Sequence, residues 1–135
     1  MVRVLVDTNV LVSALIGRGK PKELVKLAAA GKLDLLISKE IVQEFLEITA
    51  DPKIRRYVDR SDITNFLALI SSVATFVQVR SRFRVVKGDP DDDKVVRAAY
   101  DGRASYIVSG DRHLLKIKKA KGIRIVTAGE ILSLI

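Results

Sequence analysis

The chain has 135 residues, 48% of them hydrophobic, with 24 Lys and Arg against 16 Asp and Glu and a net charge of +8. That length buries a core without covalent staples and fits one domain, residues 1–135; the absence of cysteine excludes disulfides, zinc–thiolate sites and thiol nucleophiles, and one histidine, His113, excludes a multi-histidine metal centre. No apolar run approaches the roughly 20 residues of a membrane helix, and the N-terminus enters a strand with no signal-peptide layout, so a cytoplasmic protein with no membrane partner is expected.

The basic residues bunch, with Arg80, Arg82, Arg84 and Lys87 in one group and Lys116, Lys118, Lys119, Lys121 and Arg124 in another. Such groups suit a polyanion such as nucleic acid. They equally suit a solvated surface of thermophile type, in keeping with the scarcity of Asn, Gln, Cys and Met.

In chain order, Val2-Arg3-Val4-Leu5-Val6 reads as a strand buried on both faces, at the centre of a parallel sheet. Asp7-Thr8-Asn9 are turn and cap formers, and Val10 to Ile16 is the first helix. Asp7 therefore lies at the C-terminal end of a central strand, where open α/β sheets place their sites; it would also serve simply as a helix cap. Pro21 to Ala30 forms a second helix ended by Gly31, and Leu33 to Ile37 a second strand. Ser38 caps a helix running to about Ala50, before Asp51-Pro52. Its apolar stripe is Ile41, Val42, Phe45, Leu46 and Ile48. At about 100° per residue, Glu44 falls at the edge of that stripe while Glu40 and Glu47 point further away. A glutamate so placed either snorkels to solvent or is held for a purpose.

Pro52 to Tyr57 reads as a helical turn, Ser61-Asp62-Ile63-Thr64 opens another helix, Ala74 to Val79 is a third strand, and Arg80 to Gly88 is a basic connection. In Asp89-Pro90-Asp91-Asp92-Asp93, Asp89 is placed as an N-cap and Pro90 at the first helical position, with acids suiting the helix dipole. Val95, Val96 and Ala99 mark the buried side of this helix. Asp92 precedes them by helical spacings and points inward; Asp91 and Asp93 flank it toward solvent. After Gly102 come a fourth strand, Ala104 to Val108, the turn Ser109-Gly110-Asp111, and a basic helix from Leu114-Leu115. Ile123 to Val126 is a fifth strand, and Thr127 caps a closing helix through Ile131, Leu132 and Leu134. This alternation specifies an α/β fold, a three-layer α/β/α sandwich with a central, mainly parallel sheet of about five strands.

Four acids thus have separate reasons to face one sheet edge: Asp7 and Asp111 after strands, Asp92 at a helix start, and Glu44 at the edge of an apolar stripe. Gathered carboxylates repel and take up protons unless a cation neutralises them. An all-oxygen cluster without cysteine suits Mg²⁺ or Mn²⁺ rather than zinc. Such an ion activates water and holds a phosphate oxygen in phosphodiester cleavage, which accords with an acidic pocket in a basic protein.

Val-Asp-Thr-Asn-Val-Leu at Val6 to Leu11, Ser38-x-x-Ile41-x-x-Glu44, Asp89-Pro-Asp-Asp92 with its Val-Val-x-Ala-Ala helix, and Ser109-Gly110-Asp111 resemble, in order, the four acidic motifs of PIN-domain nucleases. The resemblance runs from Val2 to about Thr127 and is greatest to the toxin components of VapBC-type toxin–antitoxin pairs. It implies a Mg²⁺- or Mn²⁺-dependent endoribonuclease with RNA as substrate, a homodimer, and an antitoxin protein as partner. It implies metal ligation and catalysis by Asp7, Glu44, Asp92 and Asp111, with Glu44 binding directly or through water, and Thr8, Asn9 and Ser109 orienting the carboxylates or bound waters. The family often carries a further acid after its last motif, where this chain has Arg112-His113; His113 either touches a phosphate or is a surface residue at a helix start. The run of aspartates also allows Asp93 in place of Asp92, and helix phase favours Asp92. Two other functions compete: a catalytically silent RNA- or partner-binding module of the same fold, and a haloacid-dehalogenase-like phosphatase. The second needs an acid two residues after Asp7, where this chain has Asn9.

Overall fold

Val4, Leu5 and Val6 are buried on both faces of the sheet, as their unbroken apolar run requires. In the computed structural model, which describes residues 1–17, 19–84 and 90–135 apart from the side chains of residues 90 and 91, they belong to β1 (Arg3–Val6). The elements that follow are α1 (Thr8–Ile16), α2 (Lys20–Ala29), β2 (Asp34–Ser38), α3 (Lys39–Thr49), α4 (Pro52–Arg55), α5 (Arg60–Val73) and β3 (Thr75–Val77). Then come α6 (Pro90–Asp101), β4 (Tyr106–Val108), α7 (Arg112–Ile117), β5 (Lys119–Ala120), β6 (Ile123–Val126) and α8 (Ala128–Leu134).

The strands form a six-stranded sheet in the order β3-β2-β1-β4-β6-β5. All neighbours run parallel except β5 against β6. From β1 the chain builds outward through β2 to β3, then returns across β1 to add β4 and β6. Right-handed crossovers in opposite directions put helices on opposite faces. Accordingly α1, α2, α3, α5 and α8 pack with one another on one face, while α6 crosses the other over β1, β2 and β4. Gly102 lets α6 end against the sheet: a Cβ there would stand 2.7 Å from Val77 Cγ2 and 3.0 Å from Leu36 Cδ1.

Four sequence readings are corrected. The sheet has a sixth strand, β5, where a basic helix was expected to continue; α7 stops at Ile117 because Lys118 turns to φ 66° and its carbonyl accepts from Ile125 N at 2.8 Å. The helix expected to open at Ser61 starts at Arg60, capped by Asp59 through a reciprocal pair of bonds with Asp62. The first helix starts at Thr8, immediately after Asp7. Asp93 is buried rather than turned to solvent, because the buried arc of α6 is wide, taking in Val95, Val96, Ala98 and Ala99 together with Asp92 and Asp93. Asp89, read as the cap of α6, and Lys87 lie outside the described residues, as does the side chain of Asp91. Among the described residues, no helix is long and apolar enough to cross a membrane.

Candidate active site

The register of the sheet puts Val6, Val108 and Val126 side by side. The residues that follow them, Asp7, Ser109 and Thr127, therefore emerge at one edge, where the strand order reverses between β1 and β4. This is the crevice in which doubly wound sheets bind ligands.

Asp7 is pinned from three directions. Its backbone N–H donates to Val108 O at 2.9 Å; Oδ1 accepts from Thr8 N at 2.7 Å and Oδ2 from Ser109 Oγ at 2.8 Å. Ser109 is itself buried, and its Oγ also accepts from Asp111 N at 3.0 Å. One hydroxyl thus links the Asp7 carboxylate to the backbone of Asp111. Asp111 caps α7, its Oδ1 accepting from His113 N at 2.9 Å. The same histidine reaches across to α6: His113 Nδ1 lies 2.7 Å from Oδ2 of Asp92, which is buried while the imidazole is half exposed. Glu44 comes from the other side, on α3, which Ser38 caps through Oγ and Ile41 N.

Asp7, Glu44, Asp92 and Asp111, from four separate segments, line one open cleft of about 210 Å³, with Thr8 and Asn9 on its wall. Ser109 stands behind Asp7 rather than on the wall. Of the two adjacent aspartates, Asp92 lines the cleft. Two further residues line it: Glu40, which the helix phase placed further from the stripe than Glu44, and Lys94, for which the sequence carried no expectation. Glu40 lies one turn before Glu44 on the same helix, and that spacing is the signal that would have found it.

Burial raises the Asp7 carboxyl above its ordinary value of 3.8, against the hydrogen bonds from Ser109 and Thr8 that lower it, and the charges of Glu44 and Asp111 push it up further. The acids of the cleft therefore feel one another, and a cation among them would reverse the sign of that interaction. Among the described residues, no three His, Asp or Glu side chains stand close enough together to hold a metal ion as they are. In donor chemistry and electrostatics, however, the set fits one: oxygen donors from carboxylates, with the buried Asp7 disfavoured as an anion in the absence of a counter-charge, match a hard divalent cation.

The protein is thus a doubly wound α/β domain with an acidic cleft at its switch point. The family model described as the PIN domain matches residues 3–113, and the chain belongs to this family. It is 32% identical over 119 residues to the uncharacterized protein MJ1680 of Methanocaldococcus jannaschii, covering 87% of this chain and 76% of that protein. Two solved structures share the fold. One is a chain of VapBC2 from Rickettsia felis bound to a DNA fragment from their promoter, with a TM-score of 0.63 at 14% identity over 91% of this chain and 96% of that one. The other is PAE2754 from Pyrobaculum aerophilum, with a TM-score of 0.65 at 21% identity over 98% of this chain and 89% of that one.

Proposed function

We propose that the protein is a divalent-metal-dependent endoribonuclease acting as one PIN-like unit, and that it is the toxin component of a toxin–antitoxin pair. The observation that carries the nuclease reading is the convergence of Asp7, Glu44, Asp92 and Asp111 on one cleft of a protein with a net charge of +8. PIN domains are generally nucleases that use divalent metal ions, which supports hydrolysis of a phosphodiester bond. The toxin assignment draws on the fold shared with the VapBC2 chain, and brings with it an antitoxin partner and a homodimer.

In this reading Asp7, Asp92 and Asp111 hold Mg²⁺ or Mn²⁺, with Glu44 ligating directly or through water. The bound ion would activate water and stabilise charge on the phosphate. The chain's own residues supply orientation. Thr8 N and Ser109 Oγ fix the plane of the Asp7 carboxylate, and Ser109 Oγ with His113 N fixes Asp111. Asn9, exposed on the cleft wall, offers an amide to the substrate or to water. Lys94, exposed on the same wall, offers a cation to a phosphate oxygen.

The test is cleavage of a panel of labelled RNAs by wild type and Asp7→Asn, with Mg²⁺, Mn²⁺ or EDTA. Metal-dependent cutting by wild type, lost by at least ~10²-fold in the variant, is expected. RNA binding without cutting by folded wild type, whichever metal is present, would make the protein a silent binding module instead.

A further inference from the structure

The sequence contains two basic groups, and the structure gives them different settings. Arg80 sits on the loop after β3 beside an acid: Asp101 Oδ2 accepts from Arg80 N at 2.7 Å and from Ser81 N and Oγ at 2.9 Å, and the Arg80 side chain bonds Gln78. This loop runs along the C-terminal half of α6, with Phe83 against Tyr100 and its carbonyl taken by Arg97. The second group lies around a groove of about 640 Å³ whose walls include Leu115, Lys118, Lys119, Arg124, Val126 and Glu130. Among the described residues, Lys118, Lys119 and Arg124 have no acid at ion-pairing distance.

This groove adjoins the acidic cleft. Its wall residue Val126 accepts a hydrogen bond from Ser109 N at 3.0 Å, and its wall residue Leu115 donates to Asp111 O at 3.0 Å. One helical turn, about 5.4 Å, therefore separates the last acid of the cleft from the start of the groove. Backbone strain also falls here. Lys118, at φ 66° and ψ −39°, adopts a conformation that residues with a side chain rarely take and that glycine takes at less cost. The Ile125 N–H bond to its carbonyl holds it there. The strain places a lysine, not a glycine, at the lip of the groove. Arg124, paired directly with Lys119 across the hairpin, extends over the Tyr106 ring with its guanidinium 5.7 Å from the centroid. Cations clustered along one groove suit the phosphates of a nucleic acid strand.

We propose that the groove formed by α7, the β5–β6 hairpin and α8 carries the phosphate backbone of an RNA strand whose neighbouring phosphate lies in the acidic cleft. The proposal rests on the ribonuclease reading for its direction along the groove. Lysines on a short edge strand would also guard it against pairing with other chains, so the test separates binding from structure.

Binding of a fluorescent single-stranded RNA is measured in EDTA, so that no cleavage intervenes. Lys119→Gln/Arg124→Gln should bind about tenfold more weakly, with the slope of log affinity on log salt shallower by about 1.4. Lys118→Gly should bind about threefold more weakly while melting at an unchanged or higher temperature, since it removes strain. Arg82→Gln/Arg84→Gln should stay within about twofold of wild type. Groove variants that bind as wild type does, a loss equal in the arginine control, or wild type that binds no RNA would each overturn the proposal; so would groove variants that lose affinity for poly-glutamate alone, which would assign the groove to an acidic protein segment. A wild type that cuts RNA while its groove variants bind normally sinks the groove and keeps the nuclease. A wild type that never cuts but loses affinity through the groove does the reverse.

Discussion

The two ends of the acidic cleft are built by different means. At one end, Asp7 follows a central strand, and backbone topology alone carries it to the edge; Thr8 and Ser109, both buried, then fix its carboxylate. At the other end, Asp92 sits in the first turn of a helix and meets His113, an imidazole 53% exposed on a different element. The first acid is held by the sheet, and the second is met by a side chain reaching across a surface. A buried hydroxyl cannot be replaced by water, whereas an exposed imidazole can.

The largest effect should therefore follow from Ser109→Ala. That change strips a buried carboxylate of one donor and leaves Asp111 N without its acceptor, so chemical denaturation should show a loss of about 1–3 kcal/mol. His113→Ala should cost about 1 kcal/mol or less, because water reaches the position the ring vacates. Equal losses in the two variants would remove the distinction between the ends. The subtlest effect concerns pH. Because the folded state raises the Asp7 carboxyl above 3.8, it holds that proton more tightly than the unfolded chain does. Stability from this group is then fully present below the unfolded pKa and is lost as pH rises through the folded one. Asp7→Asn should melt above wild type at neutral pH, with the gap closing as the pH is lowered toward that of a free carboxylate. A gap that widens on acidification would contradict the uncompensated charge.

The same contrast explains what was legible in the sequence. The Asp7 end was readable because Val4-Leu5-Val6 can only be a buried strand and a residue after it can only emerge at the edge. Glu44 was readable from its angle on the stripe of Ile41 and Ile48. The inward phase of Asp92 was readable, but the burial of Asp93 was not, since a stripe drawn through Val95, Val96 and Ala99 understates an arc that also includes Ala98. The contact between His113 and Asp92 joins residues 21 apart in sequence and follows from no local periodicity. Nor does β5: two residues are too short to show alternation, and the break at Lys118 uses a strained lysine where a glycine would have announced it.

Whether these acids form a divalent-metal site is tested by calorimetric titration of Mn²⁺ into wild type and Asp7→Asn, with no knowledge of the RNA target needed. Saturable binding by wild type, lost in the variant, is the predicted result. The same isotherm from both proteins, or none from wild type, would contradict it.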